Sequence, residues 1–145
     1  MADESSMSCA VRWAGEMTFL AESGSGHVVA MDGAPEGGGR NLAPRPMEMV
    51  LLGTGGCTAY DVVVILRKSG QAVTGCEVKL AAERAGADPK VFTRIHMQFT
   101  VRGKGVKRNL VEHAIRLSHD KYCSASIMLG KTAEITTGFE VLEDG

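Results

Sequence analysis

Residues 46–68 constrain the fold more than any other part of this chain. Pro46 suits the first turn of a helix, where its missing N–H costs nothing. Glu48 puts a negative charge at that helix's positive end. Apolar residues then continue on nearly every face to Leu66, where Arg67-Lys68-Ser69-Gly70 supplies closing cations and a C-terminal glycine. A helix apolar all round is buried all round. The chain has 145 residues, the size of one domain. Only 5% of them are aromatic, so Leu, Val, Ile and Met must fill its core. A chain this small cannot wrap such a helix alone, and the expectation is a central helix partly covered by a second chain. Gly53, Gly55, Gly56 and Asp61 are expected to interrupt the apolar run, so no membrane span is expected.

Around this helix the pattern reads as an α+β domain over residues 9–142, preceded by a polar stretch, 1–8, expected to be disordered. Residues 9–13 and 17–21 read as strands joined by the turn Ala14-Gly15-Glu16. A second turn, 22–26, leads to a third strand at 27–31, completing an antiparallel meander. Residues 32–46 hold four glycines and three prolines and form a long loop. Such loops are often functional or cross between subunits. Residues 76–80 and 91–101 alternate in the manner of a hairpin with one face on the helices, its inward set including Ile95, Met97, Phe99 and Val101. Residues 109–117 are helical. Asp120 is placed to cap a further helix, expected to run to Lys131 and to carry Cys123. Residues 134–142 read as a final strand.

Formal net charge is −1, which gives no electrostatic reason to expect nucleic acid or an anionic membrane as partner. The opening residues carry no basic segment followed by an apolar one, so no signal peptide is visible and the cytoplasm is expected. In a reducing compartment the four cysteines, Cys9, Cys57, Cys76 and Cys123, read as free thiols or a catalytic pair rather than structural staples.

The other motifs are weaker. Gly130-Lys131-Thr132 resembles the end of a phosphate-binding loop, but Ala125 stands where that loop needs glycine. Gly53-Thr54-Gly55-Gly56 follows no strand, so close packing against another helix is expected there rather than a nucleotide. His27, His96, His113 and His119 lack metal-ligand spacing and read as surface or satisfied histidines; no metal or cofactor is expected. Cys9 and Cys76, on strands, read as buried small hydrophobes. Cys57 and Cys123 sit beside small residues that leave room around sulfur. On the residues alone, a redox role and a packing role stand level for these two.

The segment Pro44-Arg45-Pro46-Met47-Glu48-Met49-Val50-Leu51-Leu52-Gly53-Thr54-Gly55-Gly56-Cys57-Thr58-Ala59 resembles the first-cysteine helix of the OsmC/Ohr family, the osmotically inducible and organic hydroperoxide resistance proteins. Lys121-Tyr122-Cys123-Ser124 resembles its second-cysteine motif. The order of elements also matches, from Cys9 to Leu142, with most similarity to the YhfA-like branch. The resemblance implies an intertwined homodimer, antiparallel sheets wrapped around two long central helices, with active sites at the interface. It implies thiol-dependent peroxidase chemistry in which Cys57 is the peroxidatic nucleophile and Cys123 the resolving cysteine. Glu48 then matches the glutamate that orients a catalytic arginine. The peroxidase members carry that arginine near an early strand. The corresponding residues here, Glu16-Met17-Thr18-Phe19, include none, and Arg12, Arg40 and Arg45 are the substitutes available.

The chemistry implied by the resemblance is a cycle. Cys57 reduces an organic hydroperoxide and becomes a sulfenic acid, Cys123 closes a Cys57–Cys123 disulfide, and an external dithiol reopens it. Leu51, Leu52, Val63, Ile127 and Met128 would favour an alkyl substrate. Glu48 lies nine residues before Cys57. On one helix that is about 13.5 Å of rise, too far for direct action along it. The alternative expectation is a non-catalytic dimer of the same fold that binds a small molecule or senses redox state.

Overall fold

The computed structural model describes residues 5–144. Two compact units divide the chain, Met1–Val50 and Leu51–Gly145.

The first unit is built on the strands β1 (Cys9–Trp13), β2 (Phe19–Ser23) and β3 (Val28–Met31), paired antiparallel in that order. Strand β2 begins two residues later than the sequence suggests. The turn needs residues 14–18: Gly15 takes φ 97°, and Ala14 N–H reaches Thr18 O at 2.9 Å. The register places Val11, Ala21 and Val29 on one face, with Trp13, Phe19 and Met31 beside them. That face has no cover of its own, and Trp13 is 70% exposed. Of the expected disordered tail, residues 5–8 are exposed and residues 1–4 lie outside the described residues.

Among the described residues of this unit only Asp32 is buried, at 1% exposure. Its carboxylate organises the following loop by accepting the N–H groups of Gly33 at 2.7 Å, Leu42 at 3.2 Å and Arg40 at 3.4 Å. Burial opposes its ionisation, but these N–H donors and the Thr18 hydroxyl outweigh burial, so its pKa falls below the ordinary 3.8. A depressed carboxylate contributes stability that is present above the unfolded-state pKa and lost as pH falls through the lower folded value. Acidification below 3.8 is therefore expected to loosen residues 33–42, seen as faster proteolysis there. Asp32→Asn should be loose in that loop already at neutral pH and lose the acid dependence.

Helix α1 (Pro46–Lys68) ends as its sequence predicts. Gly70 takes φ 75°, its N–H reaches Arg67 O at 3.0 Å, and Gln71 N–H reaches Leu66 O at 2.9 Å. The glycines and Asp61 do not break it, contrary to expectation. It is long and apolar enough to cross a membrane by length and composition, with mean hydropathy 1.8 over an 18-residue window. The same test is passed by core helices of soluble proteins. Its buried residues form one stripe, Thr54, Gly55, Thr58, Val62 and Leu66. Off that stripe Leu51, Cys57 and Val63 are half-buried, while Leu52 is 59% and Tyr60 73% exposed.

The second unit adds a sheet in the order β4 (Ala72–Arg84), β5 (Phe92–Lys104), β6 (Glu134–Glu143). The first pair is antiparallel, but β5 and β6 run parallel. The expectation of antiparallel sheets is thus corrected at β6. Parallel neighbours need a crossover, and helices α2 (Arg108–Leu117) and α3 (Ser124–Leu129) supply it. Ile95, Met97, Phe99 and Val101 of β5 are buried as their alternation predicts. An irregularity near Arg84 breaks the phase, so Phe92 is buried and Thr93 exposed. Gly55 marks the close approach of α1 to the sheet, since a Cβ there would lie 2.7 Å from Leu80 Cδ1. Its partner is a strand, not the helix expected, and Gly53 and Gly56 face open space.

Candidate active site

Cys57 lies on α1 directly before buried Thr58. Cys123 is not within a helix, as expected, but at the start of one. Residues Ser118–Tyr122, including Asp120, form a single π-turn after α2, and Cys123 is the N-cap of α3. Its backbone is extended and its Sγ accepts the Ser126 N–H at 3.4 Å. The capping thus sits three residues later than Asp120, because the π-turn absorbs the chain between the two helices. π-turns occur mostly as single turns and often at functional sites.

The structure brings these two cysteines together. The Cys57 thiol lies close enough to Cys123 to add to the upward shift of its pKa. Both are free, and their environments differ: Cys57 is half-buried, whereas Cys123 is 0% exposed. Burial is the main cause that pushes the Cys123 thiol above its ordinary pKa of 9.0; the Ser126 contacts oppose it and the adjacent Cys57 adds to it. Cys76 on β4 is half-buried, with its pKa raised by burial. Cys9 is exposed, which corrects its expected burial; the meander carrying it has no core of its own.

Glu48 sits exposed in the first turn of α1, where its Oε1 accepts the Arg45 N–H at 2.8 Å. This is the reciprocal half of a capping box. The Arg45 guanidinium donates to Asn41 Oδ1, Arg40 Nη2 donates to Thr18 Oγ1 at 3.0 Å, and Arg12 pairs with Glu22 at 3.9 Å. Each candidate arginine therefore has a partner within its own unit. Of the suggested apolar lining, Leu51, Val63 and Ile127 are half-buried, while Leu52 and Met128 are exposed.

Three residues near the cysteines escaped the sequence reading. Thr58 Oγ1 lies 2.9 Å from Ser118 Oγ, and Ser118 Oγ donates to Asp61 Oδ2 at 3.0 Å. The available signal was Thr58 and Asp61, polar residues three apart in the largely apolar middle of the helix. His96 is satisfied on the sheet surface by Thr136 and Gln98. His119 departs from the satisfied pattern, with Nδ1 enclosed and unpartnered. Among the described residues no group of three His, Cys, Asp or Glu side chains is arranged to hold a metal ion.

Comparison with known proteins finds relatives of the whole chain. The profile of the family described as OsmC-like protein matches residues 37–138. Protein YhfA of Escherichia coli strain K12 is 47% identical over 136 residues, spanning 94% of this chain and 98% of that protein. A crystal structure of a hypothetical protein from Aquifex aeolicus VF5 superposes with TM-score 0.85 at 26% identity, covering 97% of this chain and 98% of that one. An organic hydroperoxide resistance protein OsmC from Legionella pneumophila shares the fold, with TM-score 0.71 at 13% identity over 97% and 100% of the two chains.

Proposed function

Because this chain belongs to the family of OsmC-like proteins, we propose that it is a thiol-dependent peroxidase acting on organic hydroperoxides. The observation that carries the reading is the adjacent, unequal pair of thiols. A hydroperoxide from solution meets half-buried Cys57 before fully buried Cys123, which supports attack by the first and resolution by the second. The Cys57 thiol gives its proton to solvent, the thiolate attacks the distal oxygen of ROOH, the O–O bond breaks, and the alkoxide takes up a proton from solvent and leaves as ROH with Cys57 as the sulfenic acid. The Cys123 sulfur attacks Cys57, the S–O bond breaks, and water leaves as the disulfide forms. An external dithiol reduces that disulfide by exchange and becomes a disulfide itself. Glu48 enters this scheme as a positioning residue that fixes the backbone of Arg45 at the start of α1.

The same proposal includes a homodimer, one domain over residues 9–142 and a cytoplasmic location. The uncovered faces of the meander and of α1 support the dimer: Trp13, Leu52 and Tyr60 are apolar surface of a kind that soluble proteins cover with a partner. Sedimentation at micromolar concentration is expected to give a dimer burying more than about 2,000 Å²; a stable folded monomer contradicts this. The family match runs across the boundary of the two compact units, which supports one domain.

A second reading, a dimer that binds a small molecule or senses redox state without turnover, is favoured by one observation. Arg12, Arg40 and Arg45 are all engaged by neighbours in their own unit. The two readings part on consumption of tert-butyl hydroperoxide with excess dithiol. Turnover that scales with enzyme supports the peroxidase, and its absence supports the second reading.

A further inference from the structure

The polar chain Thr58–Ser118–Asp61 is a bolt between helix and turn. Thr58 and Ser118 are fully enclosed, and Asp61 is half-buried. A serine hydroxyl has one proton, and that of Ser118 goes to Asp61 at 3.0 Å. Thr58 must therefore donate to Ser118 across their 2.9 Å separation, and the chain ends on a carboxylate acceptor. A bond to an ionised acceptor is roughly twice as strong as a neutral one. Removal of Ser118 takes this partner from the enclosed Thr58 hydroxyl and from the Asp61 carboxylate together.

Both cysteines hang on this bolt. Cys57 precedes Thr58 on α1. On the other side the Ser118 carbonyl accepts the Cys123 N–H at 2.7 Å. One residue thus ties the turn to α1 through its hydroxyl and holds Cys123 through its carbonyl. Disulfide closure tolerates little error, because it needs Cα atoms within about 7 Å and a defined S–S torsion. A displacement of about 1 Å can cost on the order of a hundredfold in rate.

We propose that Ser118 is a positioning residue that sets the rate at which Cys57 and Cys123 close their disulfide; the proposal rests on the two-cysteine reading of the site. In the closing step the Cys123 thiol and the Cys57 sulfenic acid give the disulfide and one water. The preceding oxidation forms no bond to Cys123 and does not require the turn to present that thiol. Ser118 therefore acts on the second step and leaves the first untouched, whereas a loss of folding would impair both.

The test uses the full chain as wild type, Ser118→Ala, Thr58→Val, Asp61→Ala and Asp61→Asn, with folding checked by circular dichroism. One arm oxidises the dithiol with diamide, which takes up two hydrogens as the disulfide forms and needs no peroxidase chemistry. The other adds one equivalent of tert-butyl hydroperoxide and traps Cys57 sulfenic acid with dimedone. Closure is expected to slow about tenfold in Ser118→Ala and Asp61→Ala, the effect of losing a bond to a charged group. Trapped sulfenic acid should rise while the first oxidation stays within about twofold. Asp61→Asn, which keeps an acceptor oxygen, should restore much of the rate. Thr58→Val reads the bolt from its other end should Ser118→Ala fail to fold. Equal closure in wild type and the folded variants overturns the proposal, as does a parallel loss of both steps. Wild type that closes with diamide but consumes no hydroperoxide defeats the peroxidase reading alone, leaving the diamide arm to judge Ser118. Wild type that does not close with diamide removes both.

Discussion

Cys57→Ser is expected to abolish hydroperoxide consumption, and Cys123→Ser to leave oxygen on Cys57. The two thiols are neighbours of the same chemical type, so only their environments separate their roles. Cys57 is accessible, whereas Cys123 is enclosed and its pKa is raised, chiefly by burial. The thiolate is the nucleophile, so a thiol held in its protonated form is a poor first reactant. It still serves as a resolving group once a sulfenic acid stands beside it. Mass spectrometry after one equivalent of organic hydroperoxide should find sulfenic or sulfinic acid on Cys57 in the Cys123→Ser protein. Turnover there should stop after one round unless an external thiol replaces the missing partner. Cys9→Ser and Cys76→Ser should retain activity, because the proposed cycle uses neither thiol. Oxygen found first on Cys123 in the wild-type background would reverse the assignment.

The largest effect on stability is expected at Phe99. It is the biggest fully buried side chain among the described residues and lies on the central strand β5, between two paired neighbours. Phe99→Ala removes the apolar ring and leaves a cavity that the flanking strands cannot close. Such changes cost about 3–5 kcal/mol. Domains are stable by about 5–15 kcal/mol, so the variant should lose a large share of the total. Lys104→Ala, exposed near the end of the same strand, should stay within about 0.5 kcal/mol. Denaturant unfolding at fixed protein concentration measures both, the fixed concentration being required if the chain is a dimer. A Phe99→Ala midpoint close to that of Lys104→Ala would mean that the core does not lie where the alternation of β5 puts it.

That alternation was legible because the period of a strand is local. Ile95, Met97, Phe99 and Val101 needed only the rule that every second side chain shares a face. Helix α1 was equally readable, from Pro46 at one end to Gly70 at the other, since caps satisfy backbone groups within a few residues. The direction of β6 was not readable. Whether a strand returns parallel or antiparallel is decided by how α2 and α3 carry the chain across the sheet, and no residue of β6 encodes it. The π-turn Ser118–Tyr122 was missed for a related reason. Asp120 is a good capping residue by type, but Cys123 holds the cap because tertiary bonds from Thr58 and Asp61 fix Ser118 upstream.

The candidate site divides in the same way. The sequence alone singled out Cys57 and Cys123, through the small and apolar residues around them and the motif they resemble, and left a redox and a packing role level on the residues themselves. It also determined that α1 has more apolar surface than one chain covers, because that follows from counting faces. Only the tertiary structure decided that the two thiols adjoin, that one is enclosed and the other reachable, and that a polar chain ties their elements together. These are distances and burials between residues about sixty positions apart in sequence. Chain pattern specifies what each segment can bury, and packing alone specifies against what.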